Sequence, residues 1–152
     1  MRKLDQTDMK ILTSLVQDSS MSVPKLSKKI NINASVVYSR IKRLIKRGLI
    51  KKFTIIVDEE LLGYTVSAVI GLNIDSKLRG PIIEKILEMY ELRSISEVTG
   101  RFDILVEITA QSLDQLHNIV SDKMGKIEGI VRTETFLKMK KRDTKPKYVI
   151  DQ

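Results

Sequence analysis

The side chains best placed to do chemistry lie between Asn33 and Gly48, and their chemistry is recognition rather than bond-making. Ser35, Tyr38, Ser39, Lys42 and Lys46 recur at helical spacing and share one face of a predicted helix, flanked by Arg40, Arg43 and Arg47. Val37, Ile41, Leu44 and Ile45 form an apolar stripe on the other face. Asn33 suits the N-cap, because its side-chain oxygen can accept from a first-turn N–H. Gly48 suits the position after the C-terminus, where a positive φ is needed. A short helix with one anchored face and one face of hydroxyls and cations fits a DNA major groove. Ser35, Tyr38, Ser39 and Lys42 would stand near base edges. Arg40, Arg43, Lys46, Lys51 and Lys52 would meet phosphate, where charge positions the protein without reading sequence. Arg40 has a second reading, an ion pair with Asp8 or Asp18. The whole stretch also has a blander one, a solvated basic helix.

Little else in the chain offers reactivity. There is no Cys and a single His, so disulfides, thiolate metal sites and Cys nucleophiles are excluded, and an imidazole zinc site would lack partners. His117 falls between Leu116 and Ile119 on a predicted surface helix, a place for a half-exposed side chain. No nucleophile–base pair or Gly-rich phosphate loop supports an enzyme, and no metal or cofactor is expected. No apolar run is long enough to span a bilayer, so a cytoplasmic protein without a membrane partner is the expectation.

The elements that must position these residues follow from the chain's patterning. The 152 residues carry a net charge of +8, and residues 1–65 hold 13 Lys and Arg against 6 Asp and Glu, whereas 66–152 hold 14 against 13. A polyanion partner for the first part alone is the natural inference. Asp5, with Asp8 in the first turn, opens a helix whose stripe is Ile11, Leu12, Leu15 and Val16. Ser22 caps a second helix with Val23, Leu26 and Ile30 inward and Pro24 in its first turn. A turn at 31–33 then leads into the helix above, making a helix-turn-helix. Residues 50–57 read as a strand and 58–63 as a capped helical turn.

Residues 66–74 alternate as a strand. A helix from Gly80-Pro81 puts Ile82, Ile83, Ile86, Leu87 and Tyr90 on one face. Strands at 94–99 and 102–109 flank a tight turn at Gly100-Arg101. Ser112 caps a helix with Leu113, Leu116, Ile119, Val120 and Met124 inward, and 130–139 is the last strand. The order βαββαβ is the ferredoxin-like split motif. It leaves one sheet face open and partly apolar, which a second copy would cover. The expected divisions are 1–57, a hinge at 58–65, 66–142, and a loosely ordered tail at 143–152. The charge run at 138–142 reads as a solvated strand end.

In order and spacing the chain resembles the leucine-responsive regulatory protein/AsnC (feast/famine) family of prokaryotic regulators. The motifs are Leu4-Asp5-x-x-Asp8-x-x-Ile11-Leu12; Ser22-x-x-x-Leu26-Ser27; Ile32-Asn33-x-Ser35-x-Val37-x-x-Arg40-Ile41-x-x-Leu44-x-x-x-Gly48-Leu49-Ile50; Val57-Asp58-x-x-x-Leu62-Gly63; and Gly100-Arg101-Phe102-Asp103, similar to the family's Gly-x-aromatic-Asp signature. Asn33 stands where the family usually has Ser, and Lys25 where it often has Glu. The resemblance implies an α+β protein: an N-terminal winged helix-turn-helix head on a C-terminal ferredoxin-like βαββαβ sensing domain. It also implies sheet-to-sheet homodimers that assemble into tetramers or octamers, binding to promoter DNA in the nucleoid, and an amino-acid effector.

With that resemblance, the turn at Gly100, Arg101, Phe102 and Asp103 becomes the candidate effector site. Gly100 would let backbone N–H groups approach an α-carboxylate, Asp103 would pair with an α-ammonium, and Thr133 and Thr135 would add hydroxyls. The plainer alternative has Gly100 closing a hairpin and Asp103 capping or pairing with Arg101. The leading function is an effector-responsive, sequence-specific transcription regulator; the alternative is an architectural DNA-compacting protein of low specificity.

Overall fold

The computed structural model describes residues 3–149. They fall into two compact units, one of the chain through Ile56 together with the segment from Arg142, the other of Val57–Lys141. The segment from Arg142, expected as a separate loose tail, therefore groups with the head. Its Tyr148 N–H donates to Thr13 Oγ1 at 3.0 Å. Residues 150–152 lie outside the described residues.

The head is three helices, α1 (Gln6–Gln17), α2 (Val23–Ile30) and α3 (Ala34–Lys46). Local chemistry starts each one. Asp5 and Asp8 form a reciprocal capping box, each carboxylate accepting the other's backbone N–H at 3.0–3.1 Å. Ser22 accepts from Lys25 N–H, and Asn33 from Ser35 N–H. Between α2 and α3, Asn31 takes the left-handed conformation (φ 56°), which Asn tolerates better than most residues. Ile11, Leu15, Leu26, Val37 and Leu44 make the buried core.

Two expected core positions are corrected: Val16 is 42% exposed and Ile45 is 45% exposed. Each lies at the edge of its stripe, where a three-helix head has no further layer to cover it. The expected strand at 50–57 is also corrected. Residues 51–57 are all exposed and pair with no strand among the described residues. β-branched side chains favour an extended path, but a strand also needs a neighbour to take its hydrogen bonds.

In the second unit β1 (Val66–Ile74), β2 (Leu92–Glu97), β3 (Ile104–Ala110) and β4 (Ile130–Leu137) form one antiparallel sheet in the order β2-β3-β1-β4. Helices α4 (Arg79–Leu87) and α5 (Leu113–Asn118) cover one face. Ala68, Ile70, Leu72, Ile104, Val106 and Ile108 point to that side and pack on Ile82, Ile86, Leu116, Ile119 and Met124. The strand period of two sends Val69, Gly71, Leu105 and Phe136 to the other side.

Three helix assignments change here. α4 ends at Leu87, so Tyr90 lies beyond it and both are exposed, at 56% and 66%. Leu113 opens α5 at 59% exposure, outside the sheet's cover. After Asn118 the helix widens into a π turn (Ile119–Met124), which keeps Met124 facing the core beside Leu116 and Ile119.

Candidate functional site

On the head, Ser35, Tyr38, Ser39, Lys42 and Lys46 all stand exposed on the outer side of α3. Lys42 Nζ sits 4.7 Å from the Tyr38 ring centroid, so cation and aromatic form one stacked unit. Ser35 Oγ donates to Asn33 Oδ1 at 2.7 Å, and Ser39 Oγ donates to the Val36 carbonyl at 3.0 Å. Gly48, at φ 74°, turns the chain out of α3, and Lys51 and Lys52 follow in the exposed segment.

Arg43 is placed differently from expectation, and Arg40 takes its second reading, the ion pair with Asp8. Arg43 Nη2 donates to both carboxylate oxygens of Asp8 at 2.8 Å. Arg40 Nη1 bonds Asp8 Oδ1 at 3.1 Å and also Asp5. Asp8 is fully buried, so the pair of guanidiniums neutralises a charge that would otherwise be costly to bury. The two arginines thus fasten α3 to the start of α1 and are not held out toward a phosphate. The Arg40 guanidinium beside Asp5 holds that carboxyl below its ordinary range.

Asp8 is the residue that sequence reasoning undervalued, and a signal was present. It lies three residues before Ile11 and seven before Leu15, on the apolar stripe and not on the solvent face. Val36 was also missed: it is 39% exposed between Ser35 and Tyr38, an apolar group on the outward side of α3.

In the sheet unit, Gly100 turns the chain with φ 120°, and nothing lies within 4 Å of where a Cβ would stand. A shallow concavity is lined by Glu97, Val98 and Thr99, the three residues before this turn. Asp103 accepts from Ile74 N–H through Oδ2 at 3.0 Å, while its own N–H donates to the Leu72 carbonyl. Asp103 thus ties the turn to β1, leaving Oδ1 as the oxygen available for a ligand.

Arg101 pairs with Glu134 at 2.6 Å, and its carbonyl accepts from Asn73 Nδ2 at 2.8 Å. The Phe102 ring lies over Gly71, 2.6 Å from the position a Cβ would take, and meets Phe136 edge-on at 6.0 Å between centroids. Phe102 and the Arg101–Glu134 pair therefore mark the helix-free face.

Thr133 and Thr135 stand elsewhere. They pair in register with Leu72 and Ile70, whose side chains enter the helix-covered core, so they point to the opposite side of the sheet from Phe102. The expected six-residue effector cluster is corrected on this point: the chain brings Gly100–Asp103 together and leaves the two threonines on the other face. Alternation fixed both threonines to one side of β4, but which side depended on pairing with β1. Among the described residues no group of three or more His, Cys, Asp or Glu could hold a metal. No described helix is long and apolar enough to cross a membrane.

Comparison with known proteins adds to this geometry. Residues 4–51 match the family description winged helix-turn-helix DNA-binding, and residues 67–147 match Lrp/AsnC ligand binding domain. The chain is 34% identical over 137 residues to the HTH-type transcriptional regulator FL11 of Pyrococcus furiosus, covering 90% of each. It is 34% identical over 139 residues to the transcriptional regulator AzlB of Bacillus subtilis, covering 90% of this chain and 88% of that one. Escherichia coli AsnC superposes with a TM-score of 0.86 at 25% identity, over 95% of this chain and 100% of that one. A transcriptional regulator of Neisseria meningitidis, solved as an L-Met complex, superposes with a TM-score of 0.91 at 20% identity, over 97% of each chain.

Proposed function

The chain belongs to the Lrp/AsnC family of transcriptional regulators, and we propose that it binds specific duplex DNA as a homodimer under the control of a free amino acid. Its relatives are transcriptional regulators and not enzymes. The observation that carries the DNA reading is the outward face of α3, where Ser35, Tyr38, Ser39 and Lys42 stand exposed on a helix held from behind by the Asp8 ion pairs. Lys46, Lys51 and Lys52 supply phosphate charge. Arg40 and Arg43 support the helix instead.

Two features support self-association. The helix-free sheet face carries Val69, Leu105, Phe102 and Phe136. Ile55 and Ile56, at 81% and 93% exposure, sit in a segment that pairs with no strand among the described residues. Both are surfaces that a second copy would cover, and dimers would be the unit of a tetramer or octamer. The amino-acid reading rests on the turn at Gly100 with the available Asp103 Oδ1, a charge suited to an α-ammonium. The Neisseria neighbour was solved as an L-Met complex, which supports this reading.

Selection from random duplex DNA tests the first part. An enriched motif with inverted-repeat half-sites is expected, and binding that random competitor abolishes would reject it. A thermal-shift screen of the twenty amino acids, read alongside sedimentation, tests the second. A stabilising shift by at least one of them is expected, and none would reject amino-acid control.

A further inference from the structure

Resting on the reading of α3 as the recognition helix, we propose that its N-terminal half reads A·T pairs through Val36 and two hydroxyls that can only accept. A serine hydroxyl has one proton and two lone pairs. Ser39 donates its proton to the Val36 carbonyl at 3.0 Å, and Ser35 donates its own to Asn33 Oδ1 at 2.7 Å. Asn33 in turn is fixed by the Ser35 N–H at 2.9 Å, so the Ser35 proton is held within the cap. Both serines are exposed, and with their protons engaged the hydroxyls have lone pairs left to accept.

The major groove offers only two kinds of donor, the exocyclic amines of adenine and of cytosine; guanine N7 and O6 and thymine O4 are acceptors. Acceptor-only hydroxyls therefore match adenine or cytosine. Val36 separates these two. Its side chain is 39% exposed beside both serines, and an apolar group in the groove gains contact with the thymine methyl. Among the four pairs, only A·T shows an amine donor and a methyl together. The Tyr38 hydroxyl, between the two serines, can accept as well as donate; the cations of this face, Lys42 with its Nζ over the Tyr38 ring at 4.7 Å and Lys46, follow Ser39 by about one and two turns, so guanine acceptors are met from there on. The helix thus carries a polarity: adenine–thymine under its first turns, acceptor-rich base edges further along.

The test uses the full chain. Duplexes are selected from random DNA, and in the winning half-site thymines are replaced one at a time by uracil and adenines by purine lacking the amine. At contacted positions, loss of the methyl is expected to weaken the wild type about fourfold. Loss of the amine is expected to weaken it about fivefold. Val36→Ala should erase most of the uracil penalty and leave the purine penalty; Ser39→Ala with Ser35→Ala should do the reverse. A selected motif with G·C pairs under the N-terminal half overturns this inference while leaving sequence-specific binding intact. So does a full uracil penalty in Val36→Ala. A selection that enriches no motif overturns the reading of α3 itself, and this inference with it.

Discussion

Arg43 grips Asp8 with one amino group shared between both carboxylate oxygens, each at 2.8 Å, and that carboxylate is completely buried. The same carboxylate accepts the Asp5 N–H and so closes the cap of α1. One side chain therefore starts the first helix and holds the third. Asp8→Ala would strip both functions, leave Arg43 without its counter-charge and leave Arg40 with Asp5 alone. The expected loss is about 3 kcal/mol in denaturant unfolding, and a loss below about 1 kcal/mol would make the pair a minor contact.

Arg43 and Lys46 should separate cleanly in salt titrations. Lys46→Ala removes a phosphate contact, so the slope of log binding constant against log salt should fall by about 1. Arg43→Ala should lower stability and keep that slope, measured at a temperature where the variant stays folded. Equal slope changes in both would return Arg43 to the phosphate-binding set.

Acid should loosen the chain through two identified carboxyls. The Arg40 hydrogen bond holds Asp5 below its ordinary 3.8, and the Lys138 hydrogen bond holds Glu107 below its ordinary 4.5. A carboxyl depressed on folding contributes stability that is present above its unfolded value and lost as pH falls through the folded value. Stability should thus decline from about pH 4.5 downward. The double variant Asp5→Asn, Glu107→Gln should melt below wild type at neutral pH and approach it as pH falls through the two depressed folded values. A constant gap between the two melting curves across that range would remove these groups from the acid response.

Gly71 gives a steric prediction. A Cβ there would meet Phe102 Cγ at 2.6 Å, so Gly71→Ala must displace the ring and is expected to cost about 1–3 kcal/mol. In a Phe102→Ala background the same change should cost little. Equal costs in both backgrounds would mean that the strain lies in the strand and not against the ring.

For the effector turn, Asp103→Asn is the informative change. An amide oxygen can still accept from Ile74 N–H, so the turn keeps its tie to β1, but the negative charge is gone. Calorimetry with the amino acid found in the thermal screen should show binding lost and the melting temperature little moved. Unchanged affinity would place the α-ammonium elsewhere.

How far the sequence was readable depended on whether one segment held the whole reason. Asp5, Ser22, Asn33 and Ser112 all cap helices as their types suggest, because a cap is settled within four residues. β3 alternates legibly from Ile104 to Ile108, where only every second residue is buried, and β1 does so from Ala68 to Ile70, before Gly71 is buried under Phe102. The local pattern points Arg43 outward because Asp8, its partner, lies 35 residues away. Nothing local to β4 separates Thr133 and Thr135 from the side of Phe102, because strand register against β1 is a property of two segments and not of one. Residues 50–57 had the composition of a strand and lacked the neighbour that would make them one. The π turn after Asn118 carries no local mark that distinguishes it from an ordinary helical turn.

The head is discontinuous: the chain leaves it after Ile56 and returns to it at Arg142, where Tyr148 docks by its backbone on Thr13. A protease that cuts the exposed stretch at 51–57 would therefore not release a complete head. It would leave an N-terminal fragment missing its last docked piece, and a C-terminal fragment still carrying that piece. Fragment complementation becomes a natural property of this architecture, and residues 1–57 expressed alone should gain stability when a peptide containing Tyr148 is supplied in trans.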